Sequence, residues 1–294
     1  MENDEHQILR ESIAVIRQIL GAELEAITVE RVVIGIFFTG VKLSNGAGGT
    51  CATPVKTIPE AVCCPSSAMA MPFPGRLRGR RALDLLKETE AASGIRRAVG
   101  IAVMNALADL CWERRPLPDL DLRRGVDAFD ATEIRPGDRV VIVGAFVPFL
   151  RALKRQDVNY LVLENDPATL KADELPFFRP AEQAPAILPT ADVVLITGTA
   201  LVNDTLGGLL RLLRPQTRVT LVGPSVSLLP DAFLRRGVDV LGGVRITAPD
   251  DFLDVLAEGG SGYHFFGRSA ERVVLQRRTP STLASGQVRE TQDA

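Results

Sequence analysis

The sequence is poor in the residues that most often announce chemistry. It has two histidines, His6 and His264, and four cysteines, at 51, 63, 64 and 111, in 294 residues. Two histidines cannot furnish a histidine-rich metal centre and leave little material for a catalytic triad. The cysteines do not form a disulfide framework, and CxxC zinc spacing is absent. No hydrophobic run approaches the ~18 residues that a membrane-spanning helix needs. Charge of one sign is also lacking: 34 basic against 36 acidic residues give a net charge of −2, with no electrostatic case for nucleic acid as a partner. The local run Arg76, Arg78, Arg80, Arg81 reads as a solvated loop. The amino terminus, MENDEHQ, has no basic start of a signal peptide. The expectation is a cytoplasmic protein that binds neither membrane nor nucleic acid.

What is present is the material of a folded α/β chain. Hydrophobic residues make up 46% and charged residues 24%, enough for one large domain or two ordinary ones. Leu9, Ile13, Ile16 and Leu20 recur at helical spacing and predict an amphipathic helix over 5–20. Strand-like text follows at 26–29, 31–38, 40–43 and 50–55, with Ser44-Asn45-Gly46 as a hairpin turn. Prolines 59, 65, 72 and 74 make 56–80 a loop, and 82–90 a short helix. Residues 1–92 thus form a small α+β unit. Ser93 is the expected N-cap of a longer helix reaching about Trp112, with a polar connector over 116–125.

From Pro136 the pattern changes. Buried strands at 139–143, 158–163, 192–197, 218–222 and 238–241 alternate with helices, including one from about Asp204 to Leu213. Arg272 to Gln276 reads as an edge strand. This alternation predicts a mostly parallel, doubly wound sheet within a second unit, 93–276. Residues 277–294, rich in Ser, Thr and Gln, read as a mobile tail.

In an open α/β sheet the loops at the carboxyl ends of the strands face the ligand crevice. Those loops here are Gly144-Ala145-Phe146, Glu164-Asn165, Thr197-Gly198-Thr199 and Gly223-Pro224-Ser225. Glu164 lies about 20 residues past Gly144, where a dinucleotide-binding fold keeps its ribose-binding acid. The glycine-rich phosphate loop is missing, so an ordinary NAD-dependent dehydrogenase is not expected. Asn203 is a candidate helix N-cap. In the first unit Thr39 and Lys42 are polar outliers after an apolar strand, and Asn105 sits inside an otherwise apolar helix and needs partners. The adjacent Cys63 and Cys64 offer two thiolates to a soft metal, or are simply small loop residues.

The strings RVVIGIFFTGVKLSNGAGGTCATP, GIAVMNAL, VIVGAFVPFL, LVLEND, LPTADVVLITGTALVNDTL and LVGPS, in this order over nearly the whole chain, resemble the family described as "putative heavy-metal chelation". The resemblance implies an enolase-amino-terminal-like domain followed by a Rossmann-like domain, a site between them, and a homodimer. It carries Thr39, Lys42, Asn105, Gly144, Phe146, Glu164, Thr197, Gly198, Thr199, Asn203, Gly223, Pro224 and Ser225 as site residues. The expected partner is a small polar or anionic molecule, with a transition metal or metal chelate as the implied cofactor. Direct metal sequestration by Cys63 and Cys64, or transfer chemistry on an adenosyl or nucleotide cofactor, are the alternatives. The sequence assigns no reaction.

Overall fold

The computed structural model describes residues 6–57, 71–91, 94–115, 120–156, 158–227 and 229–277. Cys63, Cys64, Ser93 and the 278–294 tail lie outside the described residues. Strands β1 (Val29–Ile34), β2 (Phe38–Leu43) and β3 (Gly48–Ala52) form a separate antiparallel sheet in the order β1-β2-β3. The expected turn at Ser44-Asn45-Gly46 joins β2 to β3, with Gly46 at φ 85° where only glycine is unstrained.

The larger sheet contains β4 (Leu120–Arg124), β5 (Val140–Val143), β6 (Tyr160–Glu164), β7 (Phe178–Pro180), β8 (Val193–Thr197), β9 (Arg218–Val222), β10 (Val240–Ile246) and β11 (Ala270–Arg277). Its order is β4-β11-β10-β9-β8-β5-β6-β7, parallel from β10 to β7, with β11 antiparallel to both its neighbours. The α/β class expected from the sequence, a small antiparallel sheet beside a mostly parallel one, is the class observed.

Three details differ from expectation. Part of the polar connector is strand β4, whose LDLRR text hides it because only Leu120 is buried. Charged side chains on such a short edge strand discourage pairing with other chains. Because β4 pairs with β11, β11 is internal rather than an edge. The helix expected over 204–213 is two pieces, Thr199–Val202 and Leu206–Arg211, broken at Asp204, which has φ 61°. Its carboxylate is held 3.2 Å from His6 Nδ1 and 3.4 Å from the Arg97 guanidinium.

The two sheets share a core. Val194 and Ile196 of β8 join one apolar cluster with the central helix Gly94–Arg114, while Val193 and Leu195 join another with Phe149 and Leu153. Both faces are covered, which explains the uninterrupted apolar text of that strand. The small sheet lies between two helices. A Cβ on Gly49 would stand 2.1 Å from the Ala102 carbonyl oxygen of the central helix. On the other face, one on Gly40 would stand 2.6 Å from Leu253 Cδ2 of the helix Pro249–Ala257. Glycines at these positions let the sheet approach closely on both sides.

Candidate functional site

The chain runs outward from β5 through β6 to β7, then crosses back to β8 and continues to β9 and β10. The winding therefore reverses between β5 and β8, the place where an open α/β sheet commonly sets its ligand crevice. Gly144 leaves β5 at φ 93°, and a Cβ there would meet Thr197 Cγ2 at 2.6 Å. Thr197 Oγ1 accepts from the Thr199 hydroxyl at 3.1 Å, and the Gly198 N–H donates to the Val222 carbonyl at 2.7 Å. Glu164 accepts the Ala145 N–H at 2.9 Å on one oxygen and the Asn165 N–H at 2.8 Å on the other. Its carboxylate thereby ties the loop after β5 to the loop after β6. Asn203 is exposed and closes the short helix Thr199–Val202, its N–H bonding the Thr199 carbonyl.

A second group of the expected residues joins the two sheets. Asn105, 3% exposed, donates to the Thr50 carbonyl at 2.7 Å and the Pro224 carbonyl at 3.1 Å. Ser225 Oγ accepts the Ala52 N–H at 3.0 Å and the Cys51 thiol at 3.3 Å. Thr39 Oγ1 lies 3.0 Å from Thr53 Oγ1 inside the small unit. Lys42 donates to Glu30 at 2.9 Å and to Asp250 at 2.7 Å, and these bonds hold its pKa above the usual lysine value. A different lysine, Lys56, reaches the loop after β6 and meets Asp166 at 2.5 Å.

At the carboxyl edge, where the small sheet meets β9 and β10, lies a cavity of about 510 Å³. Phe38 of β2 contributes one wall; Phe146, Gly223 and Pro224, all expected from the sequence, contribute others. Gly242 and Gly243 of β10 line it as well. Tyr263, 85% exposed, and Phe266 stand at the β11 side with Asp127 and Arg272. Phe38, Tyr263, Phe266 and Arg272 are not legible in the sequence, because aromatics beside other aromatics in GIFFTG and GYHFFG and an arginine in a strand read as packing. The paired glycines in a strand were the available signal, since they mark close approach to something.

The donors at the cavity decide whether it suits a bare metal ion. Among the described residues no group of three or more His, Cys, Asp or Glu side chains is placed to hold a metal ion. The cavity itself offers the Asp127 carboxylate, already 3.5 Å from Arg272, and the Ser261 hydroxyl, 3.1 Å from His264 Nδ1. That donor set does not fit a bare transition metal, which needs several N, O or S ligands. Cys51 and Cys111 do not help, because burial pushes both thiols up to about 12.

Fold and cavity define an α/β protein of two sheets with a cavity at their junction. The chain belongs to the DUF364 family, described as "Putative heavy-metal chelation", whose model matches residues 127–275. A second model with the same description, DUF4213, matches residues 17–108. A crystal structure of a DUF364 protein of unknown function from Pyrococcus horikoshii is similar, with a TM-score of 0.71 at 18% identity, covering 92% of this chain and 99% of that one. Another, from Desulfitobacterium hafniense DCB-2, has a TM-score of 0.66 at 20% identity and covers 92% and 98%. At such identities the likeness is one of fold. An uncharacterized protein of Methanocaldococcus jannaschii is 26% identical over 181 residues, 60% of this chain and 64% of that protein, so the match spans just under two thirds of the relative. No helix among the described residues is long and apolar enough to cross a membrane.

Proposed function

We propose that this protein binds a small organic molecule in the cleft between the small sheet and the carboxyl edge of the large sheet, as a binding protein or an enzyme. The cavity shared by Phe38 of one sheet and Phe146, Gly223 and Pro224 of the other carries this reading. Its volume, about 510 Å³, lies in the range of small-molecule pockets, and its walls are mostly apolar with a few polar groups, as such pockets are. Aromatic walls and a short supply of metal donors suit a molecule that brings its own donors. In this reading the family description refers to a metal-chelating metabolite handled as a complex or as the free chelator. Glu164, Thr197, Gly198 and Thr199 shape the neighbouring part of the crevice, while Asn105 and Ser225 hold the two sheets in register.

The enolase-like and Rossmann-like descriptions of the two units, the cytoplasmic location and the homodimer belong to the same proposal. The alternating winding about β5 supports the Rossmann-like part. Light scattering checks the dimer. Direct metal sequestration would rest on Cys63 and Cys64, since the other two thiols are buried. An adenosyl or nucleotide cofactor held by Glu164 is the remaining alternative. Thermal unfolding of metal-stripped protein with zinc, nickel, ferric picolinate, ATP and S-adenosylmethionine separates the three. A shift with ferric picolinate alone supports the chelate reading. A shift with the bare ions supports sequestration, and one with an adenosine-bearing molecule supports the cofactor reading.

A further inference from the structure

The guanidinium of Arg272 is held in a way that leaves it available to a ligand. Its side chain lies at the cavity wall on β11, with Cζ 4.2 Å from the centroid of the Phe266 ring. Stacking on a ring fixes the plane of a guanidinium without using its N–H donors. Its ion pair is Asp127, at 3.5 Å from Nε, too long for a good hydrogen bond. Both side chains are 40% exposed or more, so this pair contributes little to stability and is cheap to exchange. Asp127 is less free: one of its oxygens accepts the Phe129 N–H at 3.0 Å and caps the short helix Ala128–Ala131. Of the two charged side chains lining the cavity, only Arg272 has N–H donors without a hydrogen bond among the described residues. Around it the walls are flat and apolar, with the rings of Phe38, Phe146 and Phe266 and the side-chain-free backbone of Gly242 and Gly243.

We infer that the cavity takes a flat aromatic molecule carrying an acidic group, with the ring between the phenylalanine walls and the anion on Arg272. This rests on the cavity being the ligand site, and it adds the class of ligand and the residue that selects it. A guanidinium presents paired donors that match a carboxylate, and such charge-assisted bonds are the strong ones. Asp127 opposes the anion at short range, so an acidic group on the ligand gains by displacing a weak partner and loses by facing that carboxylate.

The experiment is calorimetric titration of the full chain with naphthalene-2-carboxylate and with its neutral isostere, naphthalene-2-carboxamide. The acid is expected to bind about tenfold or more tighter than the amide. Arg272→Gln should abolish that preference and leave the affinity for the amide unchanged. Asp127→Asn, which keeps the helix cap and removes the opposing charge, should tighten the acid a few-fold. Phe146→Ala should weaken both probes equally. Equal binding of acid and amide to the unmodified protein, or a preference that survives Arg272→Gln, would overturn the role of Arg272 while leaving the cavity as a binding site. Binding of neither probe would overturn the ligand class, and the cavity reading would then stand only if a metabolite from the thermal panel shifts the unmodified protein but not Phe146→Ala.

Discussion

The hydroxyl of Ser225 accepts the Ala52 N–H at 3.0 Å, across 173 residues of sequence. Ser225 is fully buried, and the same oxygen takes the Cys51 thiol. One side chain thus satisfies the end of β3 from the loop after β9 and fixes the small sheet against the large one. Ser225→Ala leaves the Ala52 donor without its acceptor and should destabilise the protein by about 1–3 kcal/mol. Urea denaturation measures this; a loss below about 0.5 kcal/mol would show that the bond is not a structural tie.

The close approach of β3 to the central helix makes a sharper demand. A Cβ on Gly49 would stand 2.1 Å from the Ala102 carbonyl oxygen and 2.4 Å from the Ala106 nitrogen, both backbone atoms that cannot swing aside. Gly49→Ala should cost about 3 kcal/mol or more, or prevent folding. Gly46→Ala, at φ 85° with nothing within 4 Å of the added carbon, should cost only about 1–2 kcal/mol from backbone strain. Equal losses in the two variants would contradict the packing described.

Glu11 of the first helix meets Arg236 and Arg235, which together hold its carboxyl at about 2 against burial that raises it. Because the folded pKa lies below the unfolded one, the stabilisation is complete above about pH 4.5 and is lost as the pH falls toward 2. With a side chain 24% exposed, solvent reduces the contribution to about 1–2 kcal/mol. Glu11→Gln should therefore be less stable than the unmodified protein at pH 6, with the difference shrinking at pH 3. A difference that stays constant would remove Glu11 from the acid response.

Thiol chemistry follows from burial. Cys51 and Cys111 are both buried, with their thiols pushed up to about 12. At pH 8 neither is expected to react with iodoacetamide while the protein is folded. A variant with Cys63→Ser and Cys64→Ser should label only after denaturation, as mass spectrometry would show. Rapid native labelling of that variant would contradict the buried state of the remaining pair.

The sheet architecture was legible because its cause is local. Val193 to Ile196 reads as one apolar run since β8 is covered on both faces, and the Asn-Gly turn at 45–46 needs a positive φ that the sequence displays. Strand β4 was not legible, because an edge strand with one buried leucine among charges follows no periodic rule. The loops at the strand ends were legible as a group, and Phe146, Gly223 and Pro224 do line the cavity. Their separate tasks were not. Lys42 finds Asp250, and Asn105 finds Pro224, through chain reversals more than 100 residues long. The rest of the cavity wall was hidden for a related reason: Phe38, Tyr263 and Arg272 become neighbours only when the small sheet folds against β10 and β11.

The most direct test of the cleft as the ligand site compares thermal unfolding of the unmodified protein, Phe146→Ala, and the Cys63→Ser, Cys64→Ser double variant, each with ferric picolinate and with bare zinc and nickel. A ligand at 100 times its dissociation constant adds about 2.7 kcal/mol, a readily measured shift in midpoint. Ferric picolinate, a chelate with a flat aromatic acid, is expected to raise the midpoint of the unmodified protein and of the double serine variant and to have no effect on Phe146→Ala. A shift produced by the bare ions, retained in Phe146→Ala and lost in the double serine variant, would contradict it.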